Sequence, residues 1–523
     1  MTFQTSFTAP HNKAAQVGQR ILDQGGTASE AMVAAAAMIA VQYPHMNSIG
    51  GDGFWLISRK GEAPVAIDAC GRSASQIDVD HYRTLGDELP ESGGEASITM
   101  AGTISGWQEA LQINAGNASL QDLFAPAIEA AREGTEVTQS LVDASEKTLD
   151  RLQHLPEFAK LYLQDGQPLK VGDTICNQAL AKTLNRLAQV GLDDFYRGEI
   201  AQQAAKELAQ LGSPITLEDF QQHRAVVSKP LTVSISKGQL YNIGAPTQGL
   251  ASLLILAIYD QLEDQAETEL DHIHLLVEAT KQAFIIRDQV ITDPEHLASP
   301  LDTYLTPEVI RCCADAISLT QAQPWPHHAK PGDTIWMGAS DQYGTMVSFI
   351  QSIYWEFGSG VVLPSSGILW NVRGKSFSLQ PKHHNALAAS KKPFHTLNPA
   401  YAELNDGSRM VYGTMGGEGQ PQTQACLFSR HLYQNMPLSQ AVALPRWLLG
   451  RTWGDSTNNL RLEEDLYSLY ATQLTNMGHQ VSQVGNLNEL MGHAGAIALD
   501  KYGIATATSD PRSDGKCLLG EKL

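Results

Sequence analysis

The spacing of apolar positions changes character past the middle of the chain. Before residue 322 it is mostly helical. "NKAAQVGQRILDQGG" (Asn12 to Gly26) places apolar residues three and four apart and stops at a Gly-Gly pair. "TASEAMVAAAAMIAVQYP" opens on a Thr-x-x-Glu capping pattern and ends before Pro44, and its alanine-rich run predicts a helix packed closely in the interior. "NSIGGDGFWLISRKGEAPVAIDACGRS" predicts a glycine turn and two strands. Residues 120–211 are mainly helical in pattern. "PLTVSISKGQLYNIGAPTQG" reads as strand and turn, "LASLLILAIYDQL" and "ELDHIHLLVEATKQAFIIRDQ" as helices.

Residues 322–333, "AQPWPHHAKPGD", carry three prolines and predict an extended, exposed linker. Beyond it the period falls to that of strands. "TIWMGASD", "GTMVSFIQSIYW", "GVVLPSSGILWNV" and "NPAYAELNDGSRMVYGTMGG" are expected strands. One helix, "PQTQACLFSRHLY", a helical stretch from Leu438 to Pro445, and closing strands in "HAGAIALDKYGIATATSDPR" complete the pattern. The expectation is an α+β protein in layers, one compact unit with a helix-rich first part and a sheet-rich second.

Composition narrows the function classes. The 523 residues suffice for a large core. With 36 basic and 56 acidic residues the net charge is −20, which argues against nucleic acid or an anionic membrane as partner. It leaves room for a small anionic substrate in a locally basic pocket. The six cysteines, Cys70, Cys176, Cys312, Cys313, Cys426 and Cys517, form no CxxC pair and no zinc spacing, so no metal or cofactor is expected. The first residues show no basic and apolar leader pattern, and the longest apolar run, Ala31 to Val41, is short for a bilayer, so the expected location is cytoplasmic.

Candidate chemistry sits where loop becomes strand, at Asp333-Thr334. A hydroxyl is a weak nucleophile without an adjacent base. No GxSxG elbow is present. A threonine can supply its own base if it is an N-terminus, because a free α-amine titrates at about 7.7–8.0. That requires the Asp333–Thr334 bond to be cut, by attack of the threonine hydroxyl on the preceding carbonyl and hydrolysis of the resulting ester. On the residues alone, a threonine that only begins a strand is much the commoner meaning of this pattern. His327-His328 reads as linker rather than ligand.

Seven motifs in one order decide between these. They are "NSIGGDGF" (Asn47 to Phe54), "AGTISGW" (Ala101 to Trp107), "GAPTQGL" (Gly244 to Leu250), "EATKQAF" (Glu278 to Phe284), "SGILWN" (Ser366 to Asn371), "GTMGG" (Gly413 to Gly417) and "SDPRS" (Ser509 to Ser513). Together they resemble the gamma-glutamyltranspeptidase family of N-terminal-nucleophile hydrolases, over nearly the whole chain. The resemblance implies a four-layer α/β/β/α fold with two central stacked sheets. It implies autocleavage between Asp333 and Thr334, giving a large subunit of residues 1–333 and a small one of residues 334–523 from one precursor. Thr334 would be the nucleophile and Ser352 a hydroxyl hydrogen-bonded to it. Gly416 and Gly417 would lend backbone N–H groups to the oxyanion, and "NSIGGDGF" would be a turn packed under the site.

The pattern departs from the family where substrate is gripped. The acid and amide that hold an α-ammonium read Ser376 and Arg373, a further polar contact reads Tyr354, and a Ser-Ser pair reads His395-Thr396. A cation and a hydroxyl cannot clamp an ammonium. Arg72, and after it Arg373, are the expected partners of an anion, with His395 and Thr396 as donors and Tyr354 and Trp355 narrowing the pocket. The expected substrate is a small amide bearing a carboxylate; resemblance to family members of this character implies oxamate, giving oxalate and ammonia. A gamma-glutamyl hydrolase or transferase, an acylase for a longer dicarboxylate side chain, and an unprocessed binding protein are the alternatives. Besides substrate and paired subunits, a homodimer of processed units is an open option.

Overall fold

The structure is a computed structural model and describes residues 2–325, 332–450 and 459–521. His327 and His328 lie outside the described residues. Thirteen strands build two sheets: β1 (Ser6–Ala9), β2 (Asp52–Ser58), β3 (Val65–Ala69), β4 (Val226–Ser228), β5 (Leu231–Ile235), β6 (Gly238–Asn242), β7 (Asp333–Ser340), β8 (Met346–Tyr354), β9 (Ala400–Leu404), β10 (Arg409–Gly413), β11 (Gly495–Leu499), β12 (Ala505–Ser509) and β13 (Lys516–Leu519). The first sheet runs β13-β1-β7-β8-β2-β3-β4 and the second β12-β11-β10-β9-β6-β5. Neighbouring strands pair antiparallel in both. Each sheet takes strands from both sides of Thr334, so the two halves of the chain share both sheets.

Helices cover the outer faces. α1 (Asn12–Asp23), α2 (Ala28–Gln42) and α3 (Thr103–Ile113) lie with the first sheet, and α4 (Gly249–Asp260), α5 (Glu269–Val290) and α6 (Gln420–Leu432) with the second. The expected cap of α2 forms: Thr27 accepts from the Glu30 N–H, and Glu30 accepts from the Thr27 N–H at 2.8 Å. Every residue of α2 is buried, as an all-alanine face against neighbours on several sides requires. The result is the four-layer α/β/β/α arrangement. One expected strand does not form. Residues 361–372 make only isolated bridges, Val362 to Leu369 and Gly50 to Trp370. Pro364 and Gly367, at φ 67°, turn this segment back on itself, and several of its N–H groups bond within the turn, Leu363 to the Ile368 carbonyl and Trp370 to that of Val361, instead of forming a ladder.

Alternation along the strands decides which side chains meet between the sheets. On β7, Ile335, Met337 and Ala339 join the helix-side core, whereas Trp336 joins the inter-sheet core. On β2, Phe54 and Leu56 face the second sheet, as does Ile350 on β8. By the same period of two, Thr334, Ser352 and Asp52 face the second sheet from three adjacent strands. The sheets approach closely at Trp336, whose indole N–H donates to Ser348 Oγ at 2.9 Å. A Cβ on Gly413 would stand 2.2 Å from its Cδ1. Gly413→Ala should therefore lower stability by about 1–3 kcal/mol through overpacking; a fall in Tm with the helical circular-dichroism signal retained checks this.

Candidate active site

The polar row ends the apolar faces of β2, β8 and β7. Ser352 pairs directly with Asp52, and Asp333 with Tyr354, with a register irregularity between Asp333 and Ile335. Thr334 is fully buried, and its Oγ1 accepts from Gln420 Nε2 at 3.4 Å. Gln420 begins α6, immediately after the Gly416–Gly419 turn. Gly416 (φ 116°) and Gly417 (φ 53°) both occupy the left-handed region, which glycine adopts without strain. A Cβ on Gly417 would lie 3.0 Å from the N and O of Gly332, so this turn packs backbone to backbone against the segment leading into Thr334.

Gln248, in "GAPTQGL", fixes that turn. Its Nε2 donates to the Gly417 carbonyl at 2.8 Å and the Thr396 carbonyl at 2.6 Å. Its Oε1 accepts from Arg287 Nη1 at 3.0 Å, and Arg287 Nη2 reaches Glu418 Oε2 at 2.8 Å. Gln248, Gln420 and Asp52 were not singled out from the sequence. Two of the three stand within or beside motifs that were quoted, but their partners come from other elements.

Arg373 occupies the centre. It opens a short 3-10 turn anchored by Asn371, whose Oδ1 accepts from the Arg373 N–H at 3.1 Å and whose Nδ2 donates to the Gly50 carbonyl at 3.0 Å. The side chain has no exposed surface. Nη2 donates to Ser352 Oγ at 3.3 Å, Nε lies 3.5 Å from Asp52 Oδ2, and the guanidinium stacks 4.2 Å from the Tyr354 ring. Nε and Nη1 make no hydrogen bond. Ser352 Oγ also accepts from the Tyr354 N–H at 2.8 Å. Tyr354 takes φ 84°, a strained backbone for a bulky residue. Burial pushes the Asp52 carboxyl up to about 6, against the pull of Arg373. Burial likewise lowers Arg373, with Asp52 opposing.

His395 lies within the electrostatic reach of Arg373, and Thr396 follows it in the chain. Both are buried, and neither the His395 ring nitrogens nor Thr396 Oγ1 has a hydrogen-bond partner. Thr396 Oγ1 is 3.4 Å from where a Cβ on Gly332 would stand, which places it at the same turn. Burial, and then Arg373, hold the His395 imidazole well below its usual range, so it is neutral, with one donor and one acceptor. Tyr354 and Trp355 form the inner wall of a cleft of about 1040 Å³.

Arg72, the arginine ranked first from the sequence, is placed differently. Its side chain is one-third exposed, pairs with Asp293 at 3.1 Å and Glu295 at 2.5 Å, and donates to the Ser390 carbonyl at 2.9 Å. Two carboxylates already offset it. Its distance from Arg373 in the sequence carried no sign of this, because the acids come from a segment more than 200 residues away. Elsewhere, His274, Glu278 and His479 converge as a metal site would, their ligand atoms within 4.8 Å. Lys281 Nζ, 2.6 Å from Glu278 Oε1, already stands there as the cation, and His274 Nδ1 bonds His479 Nε2 at 2.8 Å. That donor set fits a closed network rather than an ion.

Two stacked sheets between helical layers, with a threonine at the head of an inner strand facing a Gly-Gly turn, define the N-terminal-nucleophile hydrolase fold. The chain belongs to the gamma-glutamyltranspeptidase family, which it matches over residues 14–519. It is 50% identical to an oxamate amidohydrolase proenzyme from Klebsiella pneumoniae subsp. pneumoniae over 97% of each chain. It is 37% identical to a glutathione hydrolase-like YwrD proenzyme from Bacillus subtilis, again over 97% of each. Among solved structures it resembles the cephalosporin acylase from Bacillus halodurans, with TM-score 0.90 and 29% identity over 99% of this chain and 96% of that one. It is an enzyme, a hydrolase of amide bonds. No helix among the described residues is long and apolar enough to cross a membrane.

Gln248→Leu should strand the buried carbonyls of Gly417 and Thr396, each at a cost of about 1–3 kcal/mol. The expected result is a fall in kcat of roughly ten- to a hundredfold with the fold intact, measured by steady-state kinetics beside circular dichroism.

Proposed function

We propose that this chain is a self-processing amidohydrolase in which Thr334, freed by cleavage of the Asp333–Thr334 bond, hydrolyses a small amide bearing a carboxylate. Oxamate, cleaved to oxalate and ammonia in the cytoplasm, is the first candidate. The observation that carries the reading is the buried Arg373 guanidinium, together with the buried His395 ring and Thr396 hydroxyl, neither of which has a hydrogen-bond partner. Buried donors without partners cost free energy, and a carboxylate is the ligand that satisfies a guanidinium in this way. At the position where the family's acid would hold an ammonium stands Ser376, whose Oγ donates to the Arg373 carbonyl at 3.0 Å.

Processing begins with attack of Thr334 Oγ on the Asp333 carbonyl. The ester formed by the N-to-O shift is hydrolysed by water, which uncovers the α-amine and leaves residues 1–333 and 334–523 as interlaced subunits. Contact between Gly332 and Gly417 supports the idea that one turn serves both this step and turnover. In turnover, Thr334 Oγ attacks the amide carbon while its α-amine takes the proton. N–H groups of Gly416 and Gly417 stabilise the oxyanion. The amine returns the proton to the leaving nitrogen and ammonia departs. Water then adds to the acyl carbon, the amine again accepting a proton, and the ester bond to Thr334 breaks to give the acid. Arg373, held by Asp52 and Tyr354, binds the substrate carboxylate, with His395 and Thr396 as further donors; Ser352 orients the nucleophile. Arg72, committed to Asp293 and Glu295, shapes the surrounding loop.

A second reading is an acylase for a longer dicarboxylate side chain, favoured by the cleft that adjoins Tyr354. Ammonia release across small carboxylated amides, beside a gamma-glutamyl anilide, separates the two. Strong turnover of the anilide and none of oxamate overturns the first reading. Purified protein should run as two bands, the smaller beginning Thr-Ile-Trp-Met, and Thr334→Ala should leave one band and no activity. Arg373→Gln should lower kcat/KM for the carboxylated amide by about ten- to a hundredfold, mainly through KM, since a charged hydrogen bond contributes about 1.5–3 kcal/mol.

A further inference from the structure

Amide hydrolysis adds a charge. A substrate with one carboxylate becomes a product with two, because the reacting carbonyl itself leaves as a carboxylate. A buried, unscreened guanidinium favours the dianion over the monoanion, which would make product release slow. Arg373 has such a guanidinium, with no exposed surface.

We propose that Asp52 holds down the anion affinity of Arg373, so that the site accepts a monocarboxylate substrate and releases a dicarboxylate product. This rests on the reading of the substrate as a carboxylate-bearing amide. Asp52 has no exposed surface and lies at ion-pair distance from Arg373, 3.5 Å, longer than a strong charge-assisted hydrogen bond. Its Oδ1 is pinned by the Gly71 N–H at 3.0 Å, which keeps Oδ2 turned to the cation. It therefore offsets charge without consuming the guanidinium's donors, as a bidentate fork would. Tyr354, 4.2 Å away, covers one face of the guanidinium and holds its plane.

The position of Asp52 also fits the task. It pairs across β8–β2 with Ser352, in the row that includes Thr334. With strands about 4.8 Å apart, the Asp52 backbone stands roughly 10 Å from that of Thr334. The new carboxylate forms at the Thr334 end of this row, so repulsion from Asp52 acts on the charge that hydrolysis creates. The other acid near Asp52 is Asp68, which Lys392 neutralises at 2.6 Å. Asp52 is thus the buried carboxylate left to balance Arg373 among the described residues.

The test uses Asp52→Asn, nearly isosteric and uncharged, as processed enzyme. Oxalate and glycolate, a dianion and a monoanion of similar size, serve as competitive inhibitors of ammonia release from oxamate. In the wild-type enzyme their Ki values should lie within about tenfold of each other. In Asp52→Asn the Ki for oxalate should fall by about tenfold or more, that for glycolate by less, with kcat and KM both reduced. A merely structural role would raise both Ki values together. Unchanged or raised oxalate Ki in a processed Asp52→Asn enzyme overturns the proposal. If that variant does not process, the wild-type ratio decides: oxalate bound more than about a hundredfold tighter than glycolate overturns it. Absence of inhibition by either anion overturns the carboxylate reading itself. Turnover of a longer amide but not oxamate moves the same comparison to that amide's diacid and its monoacid analogue.

Discussion

A guanidinium with no access to water has to be offset from within, and much of the site follows from that requirement. Arg373 is approached by Asp52 from β2, by the Ser352 hydroxyl from β8 and by the Tyr354 ring at the end of β8. Two neighbouring strands are thus tied to one charge. Desolvation raises the Asp52 carboxyl and lowers the Arg373 guanidinium, so neither member is relaxed in the pair. Such a pair adds little to stability, because the cost of removing both charges from water offsets their attraction.

Its setting is supplied by the packing of the sheets. Trp336 and the glycines opposite it bring the layers close, and the apolar faces of β2, β7 and β8 run out in Asp52, Thr334 and Ser352. The same strands that make a dry inter-sheet core thus end in a polar row facing the Gly416–Gly417 turn. Gln248 and Arg287, from the other helical layer, hold that turn from behind. Backbone donors fixed in a water-poor space are worth more than the same donors in solution.

Much of this was legible in advance where the signal was local. Helical and strand periods located most elements, and the capping pattern at Thr27 and the all-round apolar character of α2 matched what formed. Residues 361–372 misled, because their composition suits a strand while Pro364 and Gly367 turn the chain. At the site, resemblance to the family directed attention to Thr334, Ser352, Tyr354, Arg373, His395, Thr396 and the Gly-Gly turn. It ranked Arg72 above Arg373, since a sequence shows that a residue is cationic but not which acids surround it. Asp52, Gln248 and Gln420 were passed over for the same reason.

Layers, family and the junction of loop and strand at Thr334 were already set by the order of residues, because periodicity, capping and motif order are properties of neighbouring positions. That order also showed Arg373 and Ser376 where the family resemblance leads one to expect an amide and an acid. Which arginine is buried, and which carboxylate faces it, emerged from the folded molecule alone. Those depend on contacts between residues hundreds of positions apart, whose desolvation and pairing exist only once the two sheets have closed on each other.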